Sequence, residues 1–118
     1  MALLQGKRGL VVGVANEKSI AAGCANSFRR EGAEVAMTYL NDKSYPHVKP
    51  VADAVGARLM LPCDVRVPGQ LDTAFQEIEA VLGGLDFVLH SVAFAPREDL
   101  HRSVVDSSAE GFALAMDV

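Results

Sequence analysis

Cysteine is scarce in this 118-residue sequence: the two present, Cys24 and Cys63, stand far apart, with no CxxC pair and no histidine at metal-ligand spacing. This excludes a disulfide framework and a zinc site, and leaves two buried free thiols in a reducing compartment, the cytoplasm, as the expectation. Cations are also few. Eleven Lys and Arg face 15 Asp and Glu, for a net charge of -4, and no segment gathers the basic residues. Nucleic acid and an anionic membrane surface are therefore excluded as partners. Long apolar runs are missing as well. The run Leu10 to Ala15 follows Lys7 and Arg8 but ends at once in Asn16-Glu17-Lys18, so it reads as a buried strand and not as a secretory signal.

Half of the residues are hydrophobic and 22% are charged, the composition of one globular domain, here residues 1 to 118. One pattern recurs along the chain. A strand over Gly9 to Ala15 precedes apolar residues at helical spacing (Ile20, Ala21, Cys24, Ala25, Phe28), and Gly32 stops that helix. Ala33 to Tyr39 is the second strand. A helix around Val48 to Val55 follows, its start blurred by Pro46 and Pro50. Ala57 to Pro62 is the third strand, and Leu71, Ala74, Phe75, Ile78, Val81 and Leu82 mark the clearest amphipathic helix. The fourth strand, Leu85 to His90, leads into a polar loop, after which Ser107 or Ser108 caps a last helix.

Strands that are nearly unbroken apolar runs alternating with helices predict an α/β fold, a doubly wound parallel sheet of Rossmann-like type covered on both faces. Its fourth strand is expected to lie inside the sheet, beside a further parallel strand. The expected strand ends, Gly13, Tyr39, Asp64 and His90, are 26, 25 and 26 residues apart. Ligands of such sheets sit outside the carboxyl ends of the strands. The segment Gly13 to Gly23 joins the first strand to the first helix, where backbone N–H groups and the helix dipole attract a pyrophosphate. It lacks GxGxxG spacing, and Ser19 also fits a plain helix cap. At the third strand end, Asp64 suits an adenine amino group and the Val65 N–H a ring nitrogen, although Asp64 equally fits a turn. Ser91, Val92 and Ala93 are small enough to let ribose and nicotinamide lie against the backbone. Glu34 opens its strand and so sits at the wrong end to hold a ribose.

Two catalytic patterns fail on geometry. Tyr39-x-x-x-Lys43 and Tyr45-x-x-x-Lys49 match the Tyr/Lys pair of short-chain dehydrogenases, but Tyr39 ends a strand and Tyr45 precedes Pro46, so neither pair has a secure helix to align it. His47, His90 and His101 fall on separate elements without acid partners, which predicts solvent or core roles. No catalytic residue and no metal ligand is assigned.

The opening Leu-Gln-Gly-Lys-Arg-Gly-Leu-Val-Val-Gly-Val-Ala, then Ser19-Ile-Ala, Glu31-Gly-Ala-Glu, Thr38-Tyr39, Cys63-Asp-Val and His90-Ser-Val-Ala-Phe-Ala95 resemble the enoyl-acyl-carrier-protein reductases, a divergent short-chain dehydrogenase branch. That branch has Gly-x5-Ser-Ile in place of the usual glycine motif, and a His-Ser-Val-Ala type segment after the fourth strand. The resemblance covers the whole chain. It implies fatty-acid biosynthesis, with hydride passing from NADH to the β-carbon of a trans-2-enoyl thioester on acyl carrier protein, and the enolate then protonated. It assigns Gly13, Ser19 and Ile20 to the pyrophosphate and adjoining ribose, Asp64 and Val65 to adenine, Ser91, Val92 and Ala93 to the nicotinamide side, and Phe94 and Ala95 to the substrate border. Leu40 stands where the family often has Gln beside the adenine ribose. No basic residue at 40 or 41 awaits a 2′-phosphate, which favours NAD. The family's enolate-stabilising Tyr, and a Lys six residues on, follow a fifth strand not included in these 118 residues. The expectation is the N-terminal part of a homotetrameric reductase, inactive alone; the alternative is a non-catalytic nucleotide-binding or assembly fragment.

Overall fold

The computed structural model describes residues 2–118. The four apolar runs form parallel strands β1 (Arg8–Val12), β2 (Glu34–Tyr39), β3 (Leu59–Pro62) and β4 (Phe87–His90), in the order β3-β2-β1-β4. Side chains of successive strand residues point to opposite faces. Val11, Val35 and Met37 accordingly meet α1 (Ile20–Arg30) and α2 (Tyr45–Val55) in one buried cluster, while Leu10, Val12 and Ala36 meet Ile78 and Leu82 of α3 (Gln70–Leu82) in another. Helices therefore cover both faces, as the near-continuous apolar strands require.

Several boundaries differ from the sequence reading, each for a local reason. β1 ends at Val12 because Gly13 turns out of the sheet at φ +109°. Ala57 follows the α2 cap instead of opening β3: its N–H reaches back to the Ala52 carbonyl (2.9 Å) past the left-handed Gly56, and sheet pairing starts only when Arg58 N–H donates to Val35. α2 begins at Tyr45, three residues before the expected start, because Pro46 falls in the first turn, where a missing N–H costs nothing. The polar loop after β4 holds a short helix, α4 (Arg97–Leu100), and a 3-10 turn, Val104–Asp106. Ser108, not Ser107, caps α5 (Ala109–Asp117), its hydroxyl accepting from Gly111 N–H at 2.9 Å.

The strand order carries the functional information. The chain moves outward from β1 to β2 and β3, then returns to place β4 on the other side of β1. That reversal opens a crevice between the carboxyl ends of β1 and β4. β4 pairs with β1 alone among the described residues and so forms an edge, with Val88 49% exposed; the further parallel strand expected beside it is not among them.

Candidate nucleotide site

Gly13 and Ser91, the residues that follow β1 and β4, meet at this crevice. A side chain at Gly13 would overlap the Ser91 carbonyl, and the φ of +109° is one that L-residues rarely adopt. Ser91 N–H in turn donates to the Val12 carbonyl (2.9 Å). The two strand ends are thus held together through their backbones, and Gly13 adds no side chain at the opening above them.

A cavity of about 300 Å³ lies there, at the lower limit of ordinary ligand pockets. Eight of the residues singled out from sequence line it: Gly13, Leu40, Asp64, Val65, Ser91, Val92, Ala93 and Phe94. Three do not. Ile20 opens α1 with 81% of its surface exposed, and Ala95 and Ser19 stand outside the lining. Ser19 is the α1 cap, its hydroxyl donating to the Asn16 carbonyl (2.8 Å) and accepting from Ala22 N–H (3.3 Å). The next two N–H groups, of Ile20 and Ala21, make no hydrogen bond among the described residues, which leaves donors and the positive end of the helix dipole facing outward.

The loop after β3 is built from two consecutive turns. Val67 N–H donates to the Asp64 carbonyl (3.0 Å), and Gln70 N–H donates to the Val67 carbonyl (3.3 Å). Pro68 and left-handed Gly69 occupy the middle of the second turn, where type II geometry favours that pair. Within the first, Asp64 Oδ1 accepts from Arg66 N–H at 2.9 Å. The turn reading of Asp64 is therefore realised, and it uses only one carboxylate oxygen. Oδ2 and the Val65 N–H have no hydrogen-bond partner among the described residues, and Asp64 and Val65 both line the cavity, which leaves an acceptor and a donor free on consecutive residues there.

Among the other lining residues, sequence reasoning assigned no site role to four that carry polar or ionisable side chains: Thr38, Ser44, Cys63 and Arg66. Thr38 had a signal, a hydroxyl near the carboxyl end of an otherwise apolar strand, and it is buried. Ser44 is spent on its own loop, donating to the Asn41 carbonyl (2.8 Å) and accepting from Asn41 N–H (3.0 Å). Cys63 is buried, and burial followed by the neighbouring Asp64 charge pushes its thiol pKa above the ordinary value. Arg66 is a basic residue in the lining, although positions 40 and 41 hold none.

The patterns set aside on geometry are placed as follows. Tyr45 and Lys49 do share a helix, α2, which corrects the expectation that none aligns them. Lys49 nevertheless points to Asp53 (2.6 Å), and Tyr45 packs edge-on against Tyr39 with ring centroids 5.1 Å apart. His47, His90 and His101 are exposed, and no cluster of His, Cys, Asp and Glu able to hold a metal occurs among the described residues.

Comparison with known proteins places the fold in a family. A curated relative, the NADH enoyl-[acyl-carrier-protein] reductase FabI of Aquifex aeolicus, is 45% identical over 118 residues, all of this chain and 44% of the relative. Its crystal structure superposes with a TM-score of 0.89 over 97% of this chain and 45% of that one. The Anaplasma phagocytophilum reductase, solved in complex with NAD, is 41% identical with a TM-score of 0.88, covering 96% of this chain and 43% of that one. The Bacillus cereus reductase, solved with NADP+ and indole naphthyridinone, is 41% identical with a TM-score of 0.89, covering 99% of this chain and 46% of that one. The chain thus spans less than half the length of these relatives. The family model described as enoyl-(acyl carrier protein) reductase matches residues 13–118, from the glycine at the crevice onward, and the chain belongs to that family.

Proposed function

We propose that this chain supplies the dinucleotide half-site of an NADH-dependent enoyl-acyl-carrier-protein reductase. The observation that carries the reading is the unpartnered Asp64 Oδ2 beside the unpartnered Val65 N–H on the wall of the Gly13/Ser91 crevice. An acceptor next to a donor matches the amino group and ring nitrogen along one edge of adenine.

The residues present suit several parts of that cofactor. Gly13 leaves room for backbone to approach a pyrophosphate, and the Ile20 and Ala21 N–H groups at the start of α1 offer donors to it, with Ser19 fixing their direction. Leu40 would border the adenine ribose without a charge. Ser91, Val92 and Ala93 present little bulk, so a flat ring can lie against their backbone, and Phe94 and Ala95 would border the acyl substrate. When bound, the reduced nicotinamide supplies hydride to the β-carbon of the enoyl thioester. The residues of this chain bind, orient and exclude water. The enolate-stabilising Tyr and the Lys after it, as in the resemblance, would complete the reductase.

Cytoplasmic residence and a homotetramer belong to the same proposal, the latter supported by the exposed Phe112 and Met116 on α5. No described helix is long and apolar enough to cross a membrane.

The test is to titrate the purified protein with NADH and NADPH, then follow NADH oxidation with a crotonyl thioester of acyl carrier protein. Saturable binding that favours NADH is expected of this chain, and thioester-dependent oxidation only of a protein that also carries the Tyr and Lys which the resemblance implies. Absence of NADH binding would overturn the reading.

A further inference from the structure

Asp64 is presented to the cavity by a loop, and something must hold that loop in register. Its own turns fix the Asp64 carbonyl and Oδ1. The Asp64 N–H is left to a side chain: it donates to Gln70 Oε1 at 2.7 Å in a part-buried setting. Gln70 is the first residue of α3, and its cap, Gly69, offers no side chain. The amide arm of Gln70 thus reaches back across six residues and ties the rigid helix start to the residue that faces the nucleotide. Gln70 itself does not line the cavity.

We propose that Gln70 is a positioning residue for the adenine half of the nucleotide site, clamping the Asp64 backbone so that Asp64 Oδ2 and the Val65 N–H face the base together. The inference rests on the nucleotide reading given above. The physical basis is the cost of the alternative: without Gln70 Oε1, a part-buried N–H loses its acceptor, and the loop gains by rotating Asp64 toward water. Such a rotation moves the carboxylate and the following N–H at once, because both are attached through the Asp64 α-carbon.

The test compares the purified wild-type protein with Gln70→Leu, which removes the acceptor, and Gln70→Glu, which keeps a carboxyl oxygen at the same reach. Each is titrated with NADH, AMP and reduced nicotinamide mononucleotide, while thermal unfolding is followed separately. Gln70→Leu is expected to weaken NADH and AMP about five- to thirty-fold, the range for one lost hydrogen bond. Binding of the nicotinamide mononucleotide should stay within about twofold, and Gln70→Glu should restore most of the loss. A positional clamp predicts this split between the two halves of the cofactor; a purely structural role predicts equal loss of both.

Wild-type protein that binds neither NADH nor AMP overturns the nucleotide reading itself. If wild type binds but Gln70→Leu binds AMP equally well, or loses AMP and the mononucleotide in parallel, the nucleotide reading stands and the clamp is wrong. Should Gln70→Leu fail to fold, Gln70→Glu decides: AMP affinity near wild type supports the clamp, and a loss as large as thirty-fold refutes it.

Discussion

The α-carbon of Gly13 faces the Ser91 carbonyl so closely that any side chain at 13 would overlap it. This contact serves folding before it serves any ligand, because it joins the ends of β1 and β4. Gly13→Val would therefore combine steric overlap with a φ of +109° that a branched residue resists. The expected result is a loss of about 1–3 kcal/mol or more in stability together with lost NADH affinity. Thermal unfolding and NADH titration, run side by side on Gly13→Ala and Gly13→Val, check it. A Gly13→Val protein with wild-type melting temperature and wild-type affinity would refute the contact as described.

Asp64 separates into two roles that mutation can distinguish. Asp64→Asn keeps an oxygen for Arg66 N–H and so keeps the turn, whereas Asp64→Ala loses turn and nucleotide contact together. Both are expected to weaken NADH by about 1–3 kcal/mol, the range for a hydrogen bond to a charged group. Only Asp64→Ala should also lower the melting temperature. Calorimetry with NADH and a thermal melt for each variant give the answer; equal NADH affinity in all three proteins would remove Asp64 from the site.

The fold was legible because burial on two faces leaves a signal that single residues cannot hide. Leu10, Val11, Val35 and Met37 are all buried, so the strands read as apolar runs whichever face each side chain takes. Strand ends were harder. Ala57 looks like strand but bonds back to the preceding helix, a distinction set by the left-handed cap Gly56 before it. Within the site, Asp64 was visible by its place after an apolar run, whereas Gln70 was not: a glutamine on an amphipathic helix gives no sign that its amide turns back to a loop. Arg66 was overlooked for a related reason, since a turn brings it to the cavity, and the sequence reading sought a cation only on β2's side.

Asp99 gives a pH dependence with a definite sign. Ser108 N–H (3.1 Å) and then the Ser108 hydroxyl (2.9 Å) donate to its carboxylate, with Arg102 nearby, and these hold its pKa below the usual carboxylate value. A carboxylate depressed by folding contributes stability that is complete above the unfolded pKa of about 3.9 and is lost as pH falls through the lower folded value. Asp99→Asn should therefore melt below wild type by a constant margin from about pH 5 to pH 7, and the margin should shrink below about pH 4. A margin that grows on acidification would contradict the assignment.

Cys63 offers a chemical probe of the cavity. Its thiol is buried and its pKa raised, while Cys24 is partly exposed. Since the thiolate is the reacting species, iodoacetamide at neutral pH should modify Cys24 well before Cys63. Saturating NADH should slow Cys63 further and leave Cys24 unchanged. Mass spectrometry of the two peptides over time reads both rates, and NADH protection confined to Cys24 would argue that the nucleotide binds elsewhere.

The parallel register sets Gly9 directly beside Phe87, and a β-carbon at 9 would fall within the Phe87 ring, which also stands edge-on to Phe28 at 4.9 Å. The space a side chain would need at 9 is thus already filled from the neighbouring strand. Positions 9 and 87 therefore share a fixed volume and are expected to covary among relatives, a larger residue at 9 accompanying a smaller one at 87. In the laboratory, Gly9→Ala alone should destabilise by about 1–3 kcal/mol through overpacking. In a double-mutant cycle, Phe87→Leu should cost much less in that background than in wild type. Evolution would then have to cross this pair of sites in one order, shrinking 87 before growing 9.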